Sequence, residues 1–305
     1  MSPQPDDSAL RGAGYLGPEG TFTEQALLAS ARHGAVTPVA LHSIAQSIED
    51  VAQGRLRWAV VPIENALEGS VAATLDGLAE QAERVQIAGE VLLGIAHALI
   101  AAADVPLERI EQVLTHPQVP GQCTAFLHEQ LPAARIVPSS STAEAVREVA
   151  GDAQPGRAAI GTTLAADLYG ARVLREHIED RHDNETRFVW LRRSGDPEMP
   201  PLLWSDGARR TALVFWGPGA DSPGWLLRCL QEFADRSINL TKIESRPRPG
   251  RIGSYMFFAE CEGALDDPRV AQALGALADL CEVVRPLGTY SAALHTDSAS
   301  GPSLK

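Results

Sequence analysis

The segment NETRF, residues 184–188, places a hydroxyl and a cation where a polar tract enters an apolar one. Thr186 and Arg187 stand at this junction, and the run RFVWL that follows is typical of a buried strand. Because side chains alternate along a strand, Thr186 and Phe188 should share one face and Arg187 should point to the other. A strand end that presents a hydroxyl to a cleft can donate a hydrogen bond or a proton, whereas a solvated strand start would do no chemistry.

Three helices are predicted to begin with a capping box, in which a hydroxyl and a later Glu or Gln bind the free N–H groups. The boxes are TFTE at 21–24, SIAQ at 43–46 and STAE at 141–144. The first and third follow loops rich in glycine or serine, GPEG and PSS, after predicted strand ends. Since helix N-termini bind anions, two such boxes at one sheet edge favour an anionic ligand.

The sequence contains none of the common cofactor or metal motifs. The phosphate loop, the dinucleotide GxGxxG, HExxH and GxSxG are all absent. His177 and His182 are five residues apart, which is the wrong spacing for one helical face. The cysteines match no zinc or disulfide framework and are expected to be free thiols: Cys123, Cys229, Cys261 and Cys281. We therefore predict no metal site and no cofactor.

The composition excludes several classes of partner. The net charge is −13 with no Lys/Arg-rich run, which argues against nucleic acid and anionic membranes. The N-terminal MSPQPDDSALRG lacks the basic and apolar regions of a signal peptide. The longest apolar run, VLLGIAHALIAAA, is too short to span a bilayer. We expect a cytoplasmic protein that holds any anionic ligand by local positive fields.

The 305 residues predict two domains. Strand and helix signals alternate through residue 192, with VQIAGEVLLGIAHALI as one of the predicted strands. The alternation predicts parallel α/β layers. Residues 194–208, rich in proline and glycine, are a predicted linker. The order βαββαβ that follows is that of a ferredoxin-like module. Ser222 is the predicted cap of the first helix in this module. Residues 1–12 and 291–305 are predicted disordered tails. We expect the first module to fold and work without the second.

Six segments resemble, in order, the motif series of the prephenate dehydratase family. Five are GYLGPEGTFTEQA, VPIENALEGSV, THPQVPGQC, SSSTAEA and NETRF, and the sixth, INLTKIESRP, resembles the phenylalanine-binding segment of the family's regulatory ACT domain. The resemblance implies a catalytic domain at residues 13–193 with two α/β lobes, like those of type II periplasmic binding proteins, and a cleft between them. It also implies a ferredoxin-like ACT domain at residues 209–290.

The function that this resemblance implies is the conversion of prephenate to phenylpyruvate in phenylalanine biosynthesis, with feedback by L-phenylalanine. Prephenate is a dianion that loses CO2 and its ring hydroxyl, so the enzyme needs anion anchors and a donor for the leaving oxygen. Two alternatives stay open: an arogenate dehydratase, which acts on the aminated substrate, and a non-catalytic amino-acid sensor. The resemblance further implies a homodimer or tetramer whose ACT modules pair side by side around the effector.

The resemblance also carries roles to individual residues. Thr186 is expected to act on the departing hydroxyl, and Glu64 and Asn65 are expected to contact that hydroxyl or a carboxylate. Substrate contacts are expected from other cleft positions: Thr21, Phe22, Thr115, His116, Gln122, Ser140, Ser141, Arg187 and Phe188. For Arg187 the alternation of the strand leaves a structural, lobe-bridging role open.

A separate set of residues is expected to bind phenylalanine. Its members lie before the first helix of the ACT domain and along its second strand: Ser222, Pro223, Gly224, Asn239, Leu240, Thr241, Glu244 and Ser245. Thr211 stands where a glycine is common in the family, and Trp225 where a smaller residue is common. Both lie near the expected effector pocket, so the affinity for the effector, or the choice of effector, could differ here.

Overall fold

The computed structural model describes residues 11–152, 154–203, 207–218, 222–248 and 253–293. The predicted tails lie mostly outside these ranges, as do residues 204–206 of the predicted linker. Gly12 begins the first strand and Ser291 ends the last one. Regular structure therefore reaches into both predicted tails.

The first lobe is a mixed sheet in the order β2-β1-β3-β11-β5, with β4 beside β3. Its strands are β1 (Gly12–Leu16), β2 (Thr37–Leu41), β3 (Trp58–Asn65), β4 (Gly69–Ser70), β5 (Val85–Gly94) and β11 (Glu185–Arg193). Helix α1 (Phe22–Ser30) packs on one face through Ala26 and Leu27. Helices α2 (Ile44–Ala52) and α3 (Ala72–Glu80) pack on the other through Ile48 and Leu78.

The second lobe is a sheet in the order β10-β6-β9-β7-β8. Its strands are β6 (Ala98–Ala101), β7 (Gln112–Thr115), β8 (Arg135–Pro138), β9 (Arg157–Gly161) and β10 (Arg172–Arg175). Its helices are α4 (Thr124–Gln130), α5 (Thr142–Gly151) and α6 (Thr163–Tyr169). The core of this lobe is rich in alanine and valine and lies between α5, α6 and the sheet.

The predicted parallel layers are found only in part: β1 is parallel to β2 and β3, and β7 is parallel to β8 and β9. The other pairs are antiparallel, because the chain crosses between the lobes and re-enters each sheet from the opposite direction. Strand β11 is antiparallel to β3 and β5, and β6 is antiparallel to β9 and β10. The apolar run VQIAGEVLLGIAHALI is not one strand: it leaves the first sheet at Gly94 and enters the second at Ala98. The residues between these two ends form one of the two links between the lobes.

The C-terminal module has the predicted βαββαβ order. Its elements are β12 (Arg209–Trp216), α7 (Trp225–Ala234), β13 (Leu240–Pro247), β14 (Tyr255–Glu262), α8 (Pro268–Leu280) and β15 (Val283–Ser291), with the sheet order β13-β14-β12-β15. Ser222 is not the cap of α7, because Gly224 takes that position with φ 77° and no side chain caps the helix. Among the described residues, no helix has the length and apolar character needed to cross a membrane.

The C-terminal sheet packs directly on the first lobe, and the two share one apolar core. Met256, Phe258 and Tyr290 lie in the same buried cluster as Ile87 and Val189. The backbones approach closely: a Cβ atom added at Gly288, where φ is 134°, would lie 2.2 Å from the carbonyl oxygen of Ile87. This shared core does not fit the expectation that the first module folds independently.

Candidate active site

A pocket of about 880 Å³ lies between the two lobes. The first lobe contributes Thr21, Phe22 and Thr186 to its wall, and the second contributes Gln122 and Ser141. Further predicted substrate-binding residues also line it: His116, Ser140 and Phe188. The cleft thus brings together side chains that are far apart in sequence, such as Thr21 and Phe188, whose positions differ by 167 residues.

Two predicted capping boxes stand at this pocket. The Thr21 hydroxyl accepts a hydrogen bond from the Glu24 N–H at the start of α1. The Ser141 hydroxyl accepts one from the Glu144 N–H at 3.0 Å, at the start of α5. Because the other N–H groups of each first turn have no partner within the helix, both helices can offer them to an anion. The Ser43 hydroxyl caps α2 in the same way, by accepting from the Gln46 N–H.

Asn65 and Thr186 form the central polar pair of the pocket. They are directly opposite each other in the β3–β11 register, and the Asn65 Nδ2 donates to Thr186 Oγ1 at 2.8 Å. The Asn65 amide is fixed in this orientation, since its Oδ1 accepts the N–H groups of Leu67 at 2.9 Å and Glu68 at 3.0 Å. With its oxygen occupied as an acceptor, the Thr186 hydroxyl keeps its own proton available for a group in the pocket.

A chain of hydrogen bonds continues from this pair into the second lobe. The Asn65 Nδ2 also contacts Asn184 Oδ1 at 3.0 Å, and the Asn184 Nδ2 donates to Gln122 Oε1 at 3.4 Å. The Gln122 Oε1 in turn lies 3.0 Å from His97 Nε2. The Phe22 and His97 rings meet edge to face with their centroids 5.5 Å apart, so an aromatic contact joins the first lobe to the segment that links the lobes.

His97 is a neutral member of this chain. Burial lowers the pKa of its imidazole below the ordinary value, against the opposing effects of Gln122 and Glu179. A neutral ring can donate from Nε2 to Gln122 while its Nδ1 carries no proton. The Nδ1 atom is buried without a hydrogen-bond partner among the described residues. His97 therefore holds Gln122 in place and adds no positive charge to the pocket.

Three predicted site residues do not line the pocket. Glu64 alternates to the opposite face of β3 from Asn65, and its Oε2 lies 3.2 Å from Arg187 Nη2 and 3.1 Å from Lys242 Nζ. Arg187 faces the C-terminal module, so the strand alternation predicted for it is confirmed and its predicted substrate contact does not fit. Thr115 is fully buried and its hydroxyl donates to the Ile160 carbonyl oxygen at 3.0 Å within the sheet.

Several lining residues were not predicted. Among them are the polar residues His42, His97, Gln118, Arg147, Tyr169 and Asn184 and the carboxylates Glu19, Glu68 and Glu144. Asn184 is the first residue of NETRF and could have been included on that basis. Arg147 lies two turns into α5, and its guanidinium contacts Glu144 at 2.8 Å. Tyr169 donates its hydroxyl to the Glu19 carbonyl oxygen at 2.8 Å, a link between lobes that the local sequence does not show.

One group of side chains outside the pocket has metal-binding residue types. The ligand atoms of His177, Glu179 and His182 all lie within 4.8 Å of one another. They meet because a loop, with His177 at φ 54°, wraps both imidazoles around the buried Glu179. The helical spacing considered in the sequence did not reveal this arrangement. None of the three residues lines the pocket.

The residues predicted to bind phenylalanine lie at the start of α7 and along β13. Ser222, Pro223 and Gly224 are exposed before the helix, and the Asn239 Nδ2 donates to Glu262 Oε1 at 3.2 Å. Strand β13 is at an edge of its sheet. Along it Thr241 and Ser245 are exposed, whereas Leu240 and Glu244 are half-buried. Glu244 is 3.7 Å from Lys242, on the side of the strand that faces the first lobe.

Comparison with known proteins accounts for both modules. The prephenate dehydratase family model matches residues 13–196, and the ACT domain model matches residues 219–279. A prephenate dehydratase of Mycobacterium sp. (strain JLS) is 41% identical over 288 residues, which cover 90% of this chain and 87% of that protein.

Two solved structures resemble the chain over more than 90% of its length. The prephenate dehydratase of Arthrobacter aurescens, in complex with L-Phe, is 38% identical, with a TM-score of 0.82 over 92% of this chain and 90% of that one. A structure described as GqqA, a novel type of quorum quenching acylase, is 28% identical, with a TM-score of 0.80 over 93% and 98% of the two chains. The predicted fold class is confirmed, and the chain belongs to the prephenate dehydratase family, as a lyase with a two-lobed catalytic domain and an ACT domain.

Proposed function

We propose that the pocket between the lobes converts prephenate to phenylpyruvate through the Asn65–Thr186 pair. The observation that carries this proposal is the 2.8 Å hydrogen bond from Asn65 to Thr186 in the pocket wall, which leaves the threonine proton available to a bound substrate. A threonine hydroxyl is a weak acid, so Thr186 acts as a positioned donor rather than as a free acid. The fixed amide of Asn65 supports its oxygen while the proton is shared with the leaving group.

The reaction needs no redox partner. The bond between the ring and its carboxylate breaks, and its electron pair completes the aromatic ring. The carbon–oxygen bond of the ring hydroxyl breaks at the same time, and the departing oxygen takes up one proton. Prephenate dianion and one proton give phenylpyruvate anion, CO2 and water. Thr186 contacts the departing oxygen, and the aromatic product drives the step.

The two carboxylates of prephenate are proposed to bind at the two helix N-termini. Helix α1 offers its first-turn N–H groups beside Thr21 and Phe22, and α5 offers those beside Ser141. Among the described lining residues Arg147 carries a guanidinium near α5, and a substrate carboxylate there would compete with its partner Glu144. Anchoring one anion on each lobe would hold the lobes together around the substrate, which also excludes water.

The experiment that tests the proposed function measures turnover of prephenate and of arogenate by the purified protein. Formation of phenylpyruvate from prephenate at a kcat/KM at least tenfold above that for arogenate supports the proposal. A higher value with arogenate would assign the aminated substrate. If neither compound turned over, while both bound in calorimetry, the chain would be an amino-acid or keto-acid sensor.

L-phenylalanine is the proposed effector of the ACT domain. The relative from Arthrobacter aurescens was solved in complex with L-Phe. In this chain the N-terminus of α7 beside Gly224 suits a carboxylate, and Asn239 with the carbonyl groups of β13 suits an ammonium group. Leu240 packs against the apolar core of the ACT domain. The ring of a bound phenylalanine would extend that core.

The protein is proposed to be at least a dimer formed through its ACT domains. Strand β13 is an edge strand, whose outer N–H and C=O groups remain open to pairing. Large apolar side chains are exposed on the same module: Leu227 at 68%, Ile243 at 46% and Tyr255 at 44%. Pairing of two such modules would cover these residues and bring α7 of one protomer towards β13 of its partner.

We infer a catalytic domain at residues 13–193, a linker at 194–208, an ACT domain at 209–290 and a cytoplasmic location. The prephenate dehydratase model matches residues 13–196, and the ACT model matches residues 219–279, within the proposed 209–290. The four cysteines are free, as predicted, which suits a reducing compartment.

A further inference from the structure

The residues next to the proposed reacting pair form a buried ion network that joins the two domains. Thr186 is opposite Asn65 in the β3–β11 register, and the following pair, Arg187 opposite Glu64, projects from the other face. The register shifts between Arg187 and Phe188, which marks a bulge next to the site. Bulges at such positions commonly set the direction of a functional side chain.

Arg187 holds the ACT domain by a two-point contact. Its Nη1 and Nη2 donate to the two carboxylate oxygens of Glu260 on β14, at 2.7 Å and 2.6 Å. Nη1 also donates to Glu90 on β5 at 3.2 Å. The side chains of Arg187, Glu90 and Glu260 are exposed by only 10%, 1% and 6%. A planar, bidentate pair of this kind fixes direction as well as distance.

Strand β3, which carries Asn65, is also held by the ACT domain, through Glu64. Lys242 on β13 contacts Glu64 Oε2 at 3.1 Å and donates to the Ser70 hydroxyl at 2.7 Å. In addition, Arg210 Nη1 lies 3.6 Å from Glu90 Oε1. Three cations thus face three carboxylates across the domain boundary. Both strands that carry the reacting pair are therefore anchored, one residue away, by charges of the ACT domain.

We propose that Arg187 is a positioning residue, and that its pairing with Glu260 makes docking of the ACT domain a condition for the active geometry of Thr186. Lys242 performs the corresponding task for Asn65 through Glu64. Because Lys242 belongs to β13, the strand proposed to bind the effector, a shift of β13 on effector binding reaches the reacting pair directly. This inference rests on the proposed function and specifies how its regulation works.

The test is a double-mutant cycle between Glu260→Gln and Thr186→Ala, with prephenate as substrate. Glu260→Gln is expected to lower kcat about 10–100-fold with KM changed less than about threefold, as for a displaced donor. In the Thr186→Ala background the same substitution should change kcat less than about twofold, because there is no hydroxyl left to position. Equal losses in both backgrounds would overturn the inference.

A matched control is another ion pair between the same two domains. Arg246 of β13 contacts the two carboxylate oxygens of Asp76 on α3 at 2.7 Å and 2.8 Å, away from the reacting strands. Asp76→Asn should leave kcat within about twofold. A loss as large as that of Glu260→Gln would show that any weakened docking has this effect, and would also overturn the proposal.

A second variant guards against misfolding, and phenylalanine provides a second readout. If Glu260→Gln fails to fold by circular dichroism, Lys242→Met replaces it in a cycle with Asn65→Ala. Whichever of Glu260→Gln and Lys242→Met folds should also respond to phenylalanine at least tenfold less than wild type, measured as the change in prephenate turnover. Wild-type protein that does not convert prephenate would contradict the proposed function itself. Wild-type turnover with an additive cycle would contradict only the role of Arg187.

Discussion

Thr186 has a donor role only because Asn65 occupies its oxygen. Removing the hydroxyl should therefore act on the chemical step more than on binding. We expect Thr186→Ala to lower kcat about 10²–10⁴-fold with little change in KM, as for loss of a positioned proton donor. Steady-state kinetics on prephenate measures both constants.

The matched variant is Thr186→Ser, which keeps the hydroxyl. It should retain at least about a tenth of wild-type kcat, since a serine lacks only the methyl group that fixes the rotamer. Wild-type turnover by Thr186→Ala would remove Thr186 from the mechanism.

His97 should give the protein a specific sensitivity to acid. Its pKa is lowered in the fold by burial, so the unfolded chain binds the proton more tightly. Stability from this residue is present above its ordinary pKa of about 6.5 and is lost as the pH falls through its lower folded value. One proton taken up on unfolding changes the free energy of unfolding by about 1.4 kcal/mol per pH unit in that window.

Denaturant unfolding at pH 7 and pH 5 measures this effect. Wild type should lose more stability between these values than His97→Gln, which cannot titrate. His33→Gln, at an exposed position, is the control and should behave like wild type. An identical pH dependence in His97→Gln and wild type would mean that the acid sensitivity comes from other groups.

At the scale of single elements, the edge strand β13 should govern association. Ile243 is 46% exposed on this strand, and a charge there would be buried by side-by-side pairing. We expect Ile243→Lys to raise the dimer dissociation constant about 10–100-fold, as for loss of a central apolar contact. Analytical ultracentrifugation over a dilution series measures it.

Leu28 on α1 has the same exposure, 46%, and lies on the catalytic domain. Leu28→Lys should leave association unchanged. Equal weakening by both variants would indicate a different interface, and a monomeric wild type would remove the proposed dimer altogether.

Local patterns in the sequence predicted those elements that local contacts determine. The capping hydroxyls at Thr21 and Ser141 and the alternation of Thr186 and Phe188 depend on neighbours within a few residues, and all are found. The split of the run 85–100 into β5 and β6 depends on which sheet accepts each half. Strands far away in sequence determine which sheet accepts each half. The local apolar pattern therefore predicted one continuous strand.

The same distinction applies to the candidate site. Motif resemblance identified Asn65, Gln122 and Ser140, which line the pocket. It also included Glu64, because a motif does not state which face of β3 a residue occupies. His97 and Tyr169 were missed because their contacts join the two lobes. Lys242 and Glu260, which pair with Glu64 and Arg187, lie in the ACT domain, and the catalytic motifs hold no sign of them.

At the scale of the whole molecule, the ACT domain should be needed for a stable catalytic domain. Its residues Met256, Phe258 and Tyr290 are buried in one cluster with Ile87 and Val189 of the first lobe. Exposing such side chains costs about 1.5–3 kcal/mol each, against a total stability of about 5–15 kcal/mol. A fragment of residues 1–200 should therefore melt at least about 10 °C below the full chain or fail to melt cooperatively. Calorimetry checks this, and a fragment with native stability and full turnover would contradict it.

Activity should not depend on a metal ion. The cluster of His177, Glu179 and His182 lies outside the pocket, and the pocket's polar groups described above hydrogen-bond one another. Dialysis against EDTA should leave kcat on prephenate within about 20% of its starting value, because a mechanism that uses a hydroxyl donor needs no metal ion. Activity that disappears and returns with a divalent ion would place an ion in the mechanism.

The close backbone contact between Ile87 of β5 and Gly288 of β15 also has a consequence for synthesis on the ribosome. Strand β5 leaves the exit tunnel early, whereas β15, which packs against it, is among the last segments made. About 200 residues separate the two, so at about 5–20 residues per second the apolar face of the first sheet stays uncovered for roughly 10–40 s. Over that interval the nascent chain is a substrate for chaperones, and slow translation of the ACT codons would lengthen it.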